Sequence, residues 1–357
     1  MRRKIYQELL QWKQRSGESA LLVQGARRVG KSYIVEAFAK AEYKSYILID
    51  FNLVDQPVKE MFEHDLVDLK TFFMKLTTYY GVKLYERESL IIFDEVQLFP
   101  RARSAIKYLV ADGRYDYIET GSLISIRENV KDILIPSEED HVDMYPLDFE
   151  EFLWANGNDT MMDFIRDCYR KKAPLGQALH RKAMDLFRQY LIVGGMPQAV
   201  NAFVKHNDFD EVDRVKRRIL NLYRDDIRKH AKGYEMKVEA IYDEIPSQMK
   251  NQNQHFKLSS LKQGARFDEY KDAMFWLSDA MIVNHCYNAT EPTFGLNLNR
   301  DRTLLKCYMG DTGLLISHAF DENGIVTGEV YKKLLLDKLE VNMGMVMENM
   351  VAQMLTA

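Results

Sequence analysis

The sequence predicts an α/β fold in which a parallel sheet with helices between its strands is followed by a mainly helical region. Three observations predict it. The apolar strand Leu21-Leu22-Val23 runs into a glycine-bounded loop and then a helical pattern, Ile34, Val35, Phe38 and Ala39. A second apolar strand, Leu90-Ile91-Ile92-Phe93, ends in two carboxylates, Asp94 and Glu95. Apolar runs and helical spacing alternate to about residue 155, after which helical spacing prevails from 160 to 290.

At 357 residues two or three domains are expected. A hydrophobic fraction of 46% and a charged fraction of 29% are those of an ordinary globular chain, which excludes a low-complexity polymer. No apolar run reaches the length of a membrane span. Met1-Arg2-Arg3-Lys4-Ile5 leads into an amphipathic helix rather than a secretory leader, so no membrane partner and a cytoplasmic location are expected. Cys168, Cys286 and Cys307 lack metal-ligand spacing and read as reduced thiols. A net charge of −4 gives no global attraction to nucleic acid.

Ile5, Leu9, Leu10 and Trp12 place a short helix ahead of the first strand. The loop Gly25-Ala26-Arg27-Arg28-Val29-Gly30-Lys31-Ser32 has the spacing G-x-x-x-x-G-K-S, that of a phosphate-binding loop. Gly25 and Gly30 allow backbone N–H groups to turn inward where a Cβ would crowd a phosphate. Lys31 supplies a point charge for the β- and γ-phosphates and Ser32 a hydroxyl for Mg²⁺. A helix from Tyr33 to about Ala41 adds its N-terminal donors. Four fixed positions match by chance in about one chain in a hundred of this length, so the flanking strand and helix decide against an incidental lysine.

Tyr46 to Phe51 is the next strand, and helical patterns fill 55–80. The strand ending at Asp94-Glu95 opens its C-terminal edge onto a ligand crevice. Asp94 there suits the Mg²⁺ shell, and Glu95 suits a base for water attacking a γ-phosphate; the alternative is a strand leaving the core into a polar loop. A helix over Ala102–Val110 leads to the strand Tyr115–Glu119, whose tip is Thr120-Gly121-Ser122. Thr120 and Ser122 are both candidates for a hydroxyl that senses the γ-phosphate or holds the attacking water, and an ordinary turn is the alternative. His141 to Leu147 reads as the last strand, stopped by Pro146.

Arg181–Ile192 and Val212–Ala231 are amphipathic and are separated by the turn Val193-Gly194-Gly195-Met196-Pro197. Lys216, Arg217, Arg218, Arg224, Arg228, Lys229 and His230 make a basic stretch, read as a solvated face with nucleic-acid contact as the minority reading. A helix over Val238–Met249, a short segment at Leu258–Leu261, a helix over Phe267–Leu277 and β-prone runs at Met281–Tyr287 and Leu304–Met309 suit a winged-helix unit. Its groove-facing helix carries Asp268, Glu269 and Asp272 against Lys271, which repels phosphate.

With these motifs in place, the chain resembles prokaryotic AAA+-like ATPases whose P-loop domain precedes a DUF4143 region. Phe93-Asp94-Glu95-Val96-Gln97 is similar to the family's Walker B segment and Thr120-Gly121-Ser122 to its sensor strand. Tyr145-Pro146-Leu147, Phe149-Glu150-Glu151-Phe152, Gly194-Gly195-Met196-Pro197, Met309 to Leu315 and Glu348-Asn349 resemble later blocks. The resemblance implies a P-loop NTPase sheet of AAA+/ASCE type over 1–155, a helical lid or linker over 156–232 and a winged-helix-like domain over 233–325. Residues 326–357 would begin a restriction-endonuclease-like domain, truncated at Ala357. It implies ATP and Mg²⁺ as ligands, with Gly25 through Tyr33 holding the nucleotide and Met196 or Pro197 touching adenine.

The family's Gly-Arg pair is replaced by Ser137-Glu138-Glu139-Asp140-His141, leaving Arg127 as a weak substitute for an arginine finger. The Met-rich tail (Met343, Met345, Met347, Met350, Met354) reads as a surface for a protein partner or for self-association. The function expected is a slow Mg²⁺-dependent ATPase that moves its helical region. The alternatives are a nucleotide-gated DNA-associated protein and a nucleotide switch without hydrolysis.

Overall fold

The computed structural model describes residues 1–15, 17–121, 137–251, 253, 255–291, 295–320 and 343–357. They form two compact units, Arg3–Met144 and Tyr145–Ala357 with Met1–Arg2.

In the first unit α1 (Ile5–Gln14) precedes β1 (Ala20–Gln24), α2 (Lys31–Glu42) and β2 (Ser45–Asp50). Then come α3 (Gln56–Glu60), a π turn (Met61–Asp65), α4 (Leu69–Tyr80) and β3 (Ser89–Asp94). A 3₁₀ turn (Val96–Leu98), α5 (Pro100–Asp112), β4 (Asp116–Gly121) and β5 (Glu139–Asp143) complete it. The strands pair in parallel in the order β2-β3-β4-β1-β5. Parallel neighbours cannot be joined by tight turns, so α2, α4 and α5 serve as crossovers. Helices cover the sheet, which is why every residue of β3 is buried and its sequence is apolar without alternation. Ile49, Ile91 and Phe93 pack with Phe62, Phe72, Ile106 and Leu109 into one core. The unit has the α/β P-loop NTPase fold. Because β1 is inserted between β4 and β5, the crevice at the carboxyl ends of the strands lies where the strand order reverses.

The last strand differs from its expected span of His141 to Leu147. It ends at Asp143, where the Met144 N–H still reaches Gln24 O at 2.7 Å. Pro146 has no donor to continue a ladder, and the Leu147 N–H goes to Gly195 O at 2.7 Å.

The second unit holds α6 (Phe149–Ala155), α7 (Met161–Lys171), α8 (Gln177–Val193), α9 (Pro197–His206), α10 (Phe209–His230) and α11 (Glu235–Lys250). A 3₁₀ turn (Leu258–Ser260), α12 (Phe267–Asp279) and the antiparallel pair β6 (Val283–Ala289) and β7 (Arg300–Met309) follow in the expected order. The described residues end with α13 (Thr312–Ala319) and α14 (Met343–Thr356). Sequence spacing missed α9. Pro197 was read as closing a turn, but it occupies the first turn of a helix, where its missing N–H costs nothing.

The later sequence blocks converge on one buried polar junction. Asp311 accepts from the Gly195 N–H at 2.6 Å and the Leu314 N–H at 2.8 Å, capping α13. Lys216, expected on a solvated face, is wholly buried and donates to Ile192 O at 2.7 Å and Gly313 O at 3.1 Å. Asn349 exchanges bonds with the Met309 backbone, Gln353 accepts from Thr312, and Tyr190 Oη donates to Leu147 O at 2.6 Å. The Met-rich tail is correspondingly half withdrawn. Met345 and Met350 are buried, while Met347 and Met354 remain exposed. Glu348 accepts from Lys306 Nζ and Tyr308 Oη.

Candidate functional site

The loop after β1 is set by two glycines with different duties. A Cβ on Gly25 would meet Met144 O at 2.3 Å, so the backbone that follows β5 by itself requires glycine at this position. Gly30 has φ +97° at the N-cap of α2, a left-handed conformation that costs a residue with a Cβ. Arg28 also has positive φ, +72°. Ala26 and Val29 are buried and anchor the loop, whereas Arg27, Arg28 and Tyr33 are exposed. Arg3, not singled out from sequence, donates from Nη1 to Val29 O at 3.1 Å. The helix begins at Lys31, two residues before the expected start. Lys31 is buried, and its Nζ donates to Gly25 O at 2.9 Å and Ala26 O at 3.1 Å, so the ammonium sits over its own loop.

Beside the loop, one carboxylate oxygen gathers two hydroxyls. Ser32 Oγ donates to Asp94 Oδ1 at 2.7 Å, and Thr120 Oγ1 donates to the same oxygen. Register explains the meeting, because Thr120 lies opposite Val23 on β1 and Glu119 opposite Phe93 on β3. Thr120 and Gly121 therefore belong to β4 itself rather than to a tip beyond it. Thr120 Oγ1 also accepts from the Glu95 N–H at 3.3 Å. Glu95 lies just past β3 with φ +54°, a conformation that costs a non-glycine residue on the order of 1–3 kcal/mol and clusters at functional sites. Its Oε2 accepts from Gln97 Nε2 at 2.5 Å. Ser122 and Arg127 lie outside the described residues. Met196 and Pro197 belong to the second unit, where Met196 is fully buried and Pro197 opens α9.

This donor set suits Mg²⁺. That ion is held by one or two carboxylates completed by water and phosphate oxygens rather than by an all-protein cage. Asp94 and the Ser32 hydroxyl supply such a partial shell, and the described residues contain no cluster of three or more His, Cys, Asp or Glu side chains suited to a metal.

A second charged group lies within the same sheet and escaped the sequence reading. Glu119 on β4 and Glu139 on β5 are buried with Arg103 of α5, whose Nη2 donates to Glu139 Oε1 at 2.8 Å. Arg103 Nε stands 3.9 Å from Glu119 Oε2, and His141 Nε2 stands 3.1 Å from Glu139 Oε1. Burial, then the neighbouring Glu139, push Glu119 well above the ordinary carboxylate range, and Arg103 offsets part of that rise.

Two family models match the sequence, an AAA domain over residues 17–153 and a domain of unknown function, DUF8612, over residues 184–323. The second stands where the DUF4143 region was expected. No curated protein matches the chain. Among solved structures, the Aeropyrum pernix ORC1 protein in complex with DNA aligns at 10% identity over 91% of this chain and 94% of that one, with a TM-score of 0.32. The Thermotoga maritima RuvB Holliday junction branch migration motor aligns at 10% identity over 79% and 89%, with a TM-score of 0.33. Drosophila ORC bound to DNA aligns at 12% identity over 87% and 92%, with a TM-score of 0.32. The AAA match and the P-loop sheet together support an AAA-like nucleotide-binding function for the N-terminal part. No helix among the described residues is long and apolar enough to cross a membrane.

Proposed function

We propose that the chain binds ATP with Mg²⁺ and hydrolyses it slowly, using the crevice bounded by the loop Gly25–Ser32, Asp94, Glu95 and Thr120. The observation that carries this reading is the convergence of the Ser32 and Thr120 hydroxyls on Asp94 Oδ1 beside a buried, loop-bound Lys31. Lys31 would exchange the Gly25 and Ala26 carbonyls for β- and γ-phosphate oxygens, and the backbone N–H groups at the start of α2 would complete the anion cradle. Ser32 and Asp94 would hold Mg²⁺, which would supply positive charge to offset that of the phosphates. Glu95 would take the proton of the attacking water. Thr120 ties the carboxylate pair together from β4, and Ser122 shares its proposed role as a γ-phosphate sensor. The helical unit, including the winged-helix-like segment over 233–325, is the part whose movement the nucleotide would control.

Titration of the protein with a fluorescent ATP analogue and Mg²⁺ tests the reading. Lys31→Ala should weaken binding at least about tenfold, the scale of one lost charge-assisted contact of 1.5–3 kcal/mol. A Lys31→Ala protein that binds as tightly as the parent would refute the assignment.

A further inference from the structure

Gln97 is 6% exposed and lies in the 3₁₀ turn Val96–Leu98, two residues past the carboxylate it touches. Only the NH₂ end of its amide can meet a carboxylate oxygen, so the chemistry fixes which way the side chain faces. That amide holds Glu95 Oε2 at 2.5 Å. Glu95 Oε1 accepts from none of the described residues. The carboxylate therefore has one anchored and one available oxygen, on a backbone that Thr120 Oγ1 also grips through the Glu95 N–H.

We propose that Gln97 is a positioning residue for ATP hydrolysis, fixing Glu95 through Oε2 so that Oε1 meets the attacking water. This rests on the reading of Glu95 as the base. In the step it serves, the water oxygen bonds to the γ-phosphorus while a water proton passes to Glu95 Oε1. The bond from the γ-phosphorus to the bridging oxygen breaks, and ADP leaves with that electron pair. A half-buried glutamate without an anchor samples several rotamers, and few of them place an oxygen for in-line attack.

Single-turnover hydrolysis of ATP with Mg²⁺ by the full chain decides the matter, together with nucleotide affinity measured separately. Gln97→Met should slow hydrolysis by about ten- to a hundredfold, the cost of misplacing a reacting group by an ångström or less, while leaving affinity within about twofold. Glu95→Gln should slow it by roughly 10²–10⁴. The double variant should be no slower than Glu95→Gln, because the proposed role of Gln97 in hydrolysis runs through that carboxylate. Parental hydrolysis in Gln97→Met, or two losses that multiply in the double variant, overturns the role of Gln97 and leaves that of Glu95 standing. Parental hydrolysis in Glu95→Gln removes both. Should Gln97→Met lose affinity as well, the single-turnover rate at saturating nucleotide decides, and a parental rate there overturns the proposal.

Discussion

Asp94 Oδ1 is the atom on which most of the site turns, since the Ser32 and Thr120 hydroxyls both end there. These residues were legible because each sits in a short pattern whose chemistry is local: Lys31 and Ser32 at a helix start, Asp94 and Glu95 at a strand end. Gln97 and Arg3 were not, because their roles depend on which atoms the fold brings near. Glu119 is a sharper case. The sequence places Glu119 at the end of the strand Tyr115–Glu119 with no role assigned, yet it is fully buried beside Arg103 and Glu139. The usable signal was its place in a strand directly after the helix that carries Arg103. Its raised folded-state pKa means that the proton it retains favours the fold at low pH, and this contribution is lost as pH climbs through the raised value. Glu119→Gln keeps the shape without the charge. Thermal melts should show little change at pH 5 and a gain of about 3–6 °C at pH 9, corresponding to roughly 1 kcal/mol or more. Parallel melting curves at the two pH values would sink this account.

Among the elements, the sheet was easiest to foresee, because buried parallel strands are apolar from end to end and helical spacing separates them. Most of their edges moved by a residue or two, and the last strand ends four residues early, at Asp143, because the Leu147 N–H is taken by Gly195 O. The helical unit was harder. The turn after α8 offered glycines and a proline, so spacing assigned it a break and left α9 unseen. Its partner lies more than a hundred residues along the chain, where Asp311 accepts from the Gly195 N–H. No periodicity can report such a contact. Asp311 also caps α13, and burial, opposed by the Gly195 and Leu314 N–H groups and by Lys216, raises its pKa. Asp311→Ala would leave the buried Gly195 and Leu314 N–H groups without their acceptor and remove the negative charge near the buried Lys216 ammonium. The expected cost is about 3–5 kcal/mol, or a fall of roughly 6–15 °C in the melting of the helical unit followed by circular dichroism. A fall of a degree or less would mean that the junction contributes little.

At the scale of the whole molecule, charge placement bears on the DNA-associated alternative more directly than composition does. The net charge of −4 left room for a local basic patch, and α10 carries the densest cationic sequence. Folding largely neutralises it. Lys216 is buried, Arg217 pairs with Asp213 at 2.7 Å, Arg224 with Asp243 at 3.1 Å and Arg228 with Glu239 at 2.8 Å. On α12, Asp268, Glu269 and Asp272 are all exposed and would face any phosphate brought to that helix. A cation already paired with a carboxylate releases few counterions from DNA, so the gain that drives non-specific binding is small. Fluorescence anisotropy with a duplex, with and without ATP and Mg²⁺, should show affinity changing by less than about tenfold between 50 and 200 mM salt. A protein making 6–10 phosphate contacts loses about 10³–10⁵ over that range. A slope that steep would mean that the acidic partners of α10 give way to phosphate, and the nucleotide-gated DNA reading would then replace that of an ATPase acting on its own helical unit.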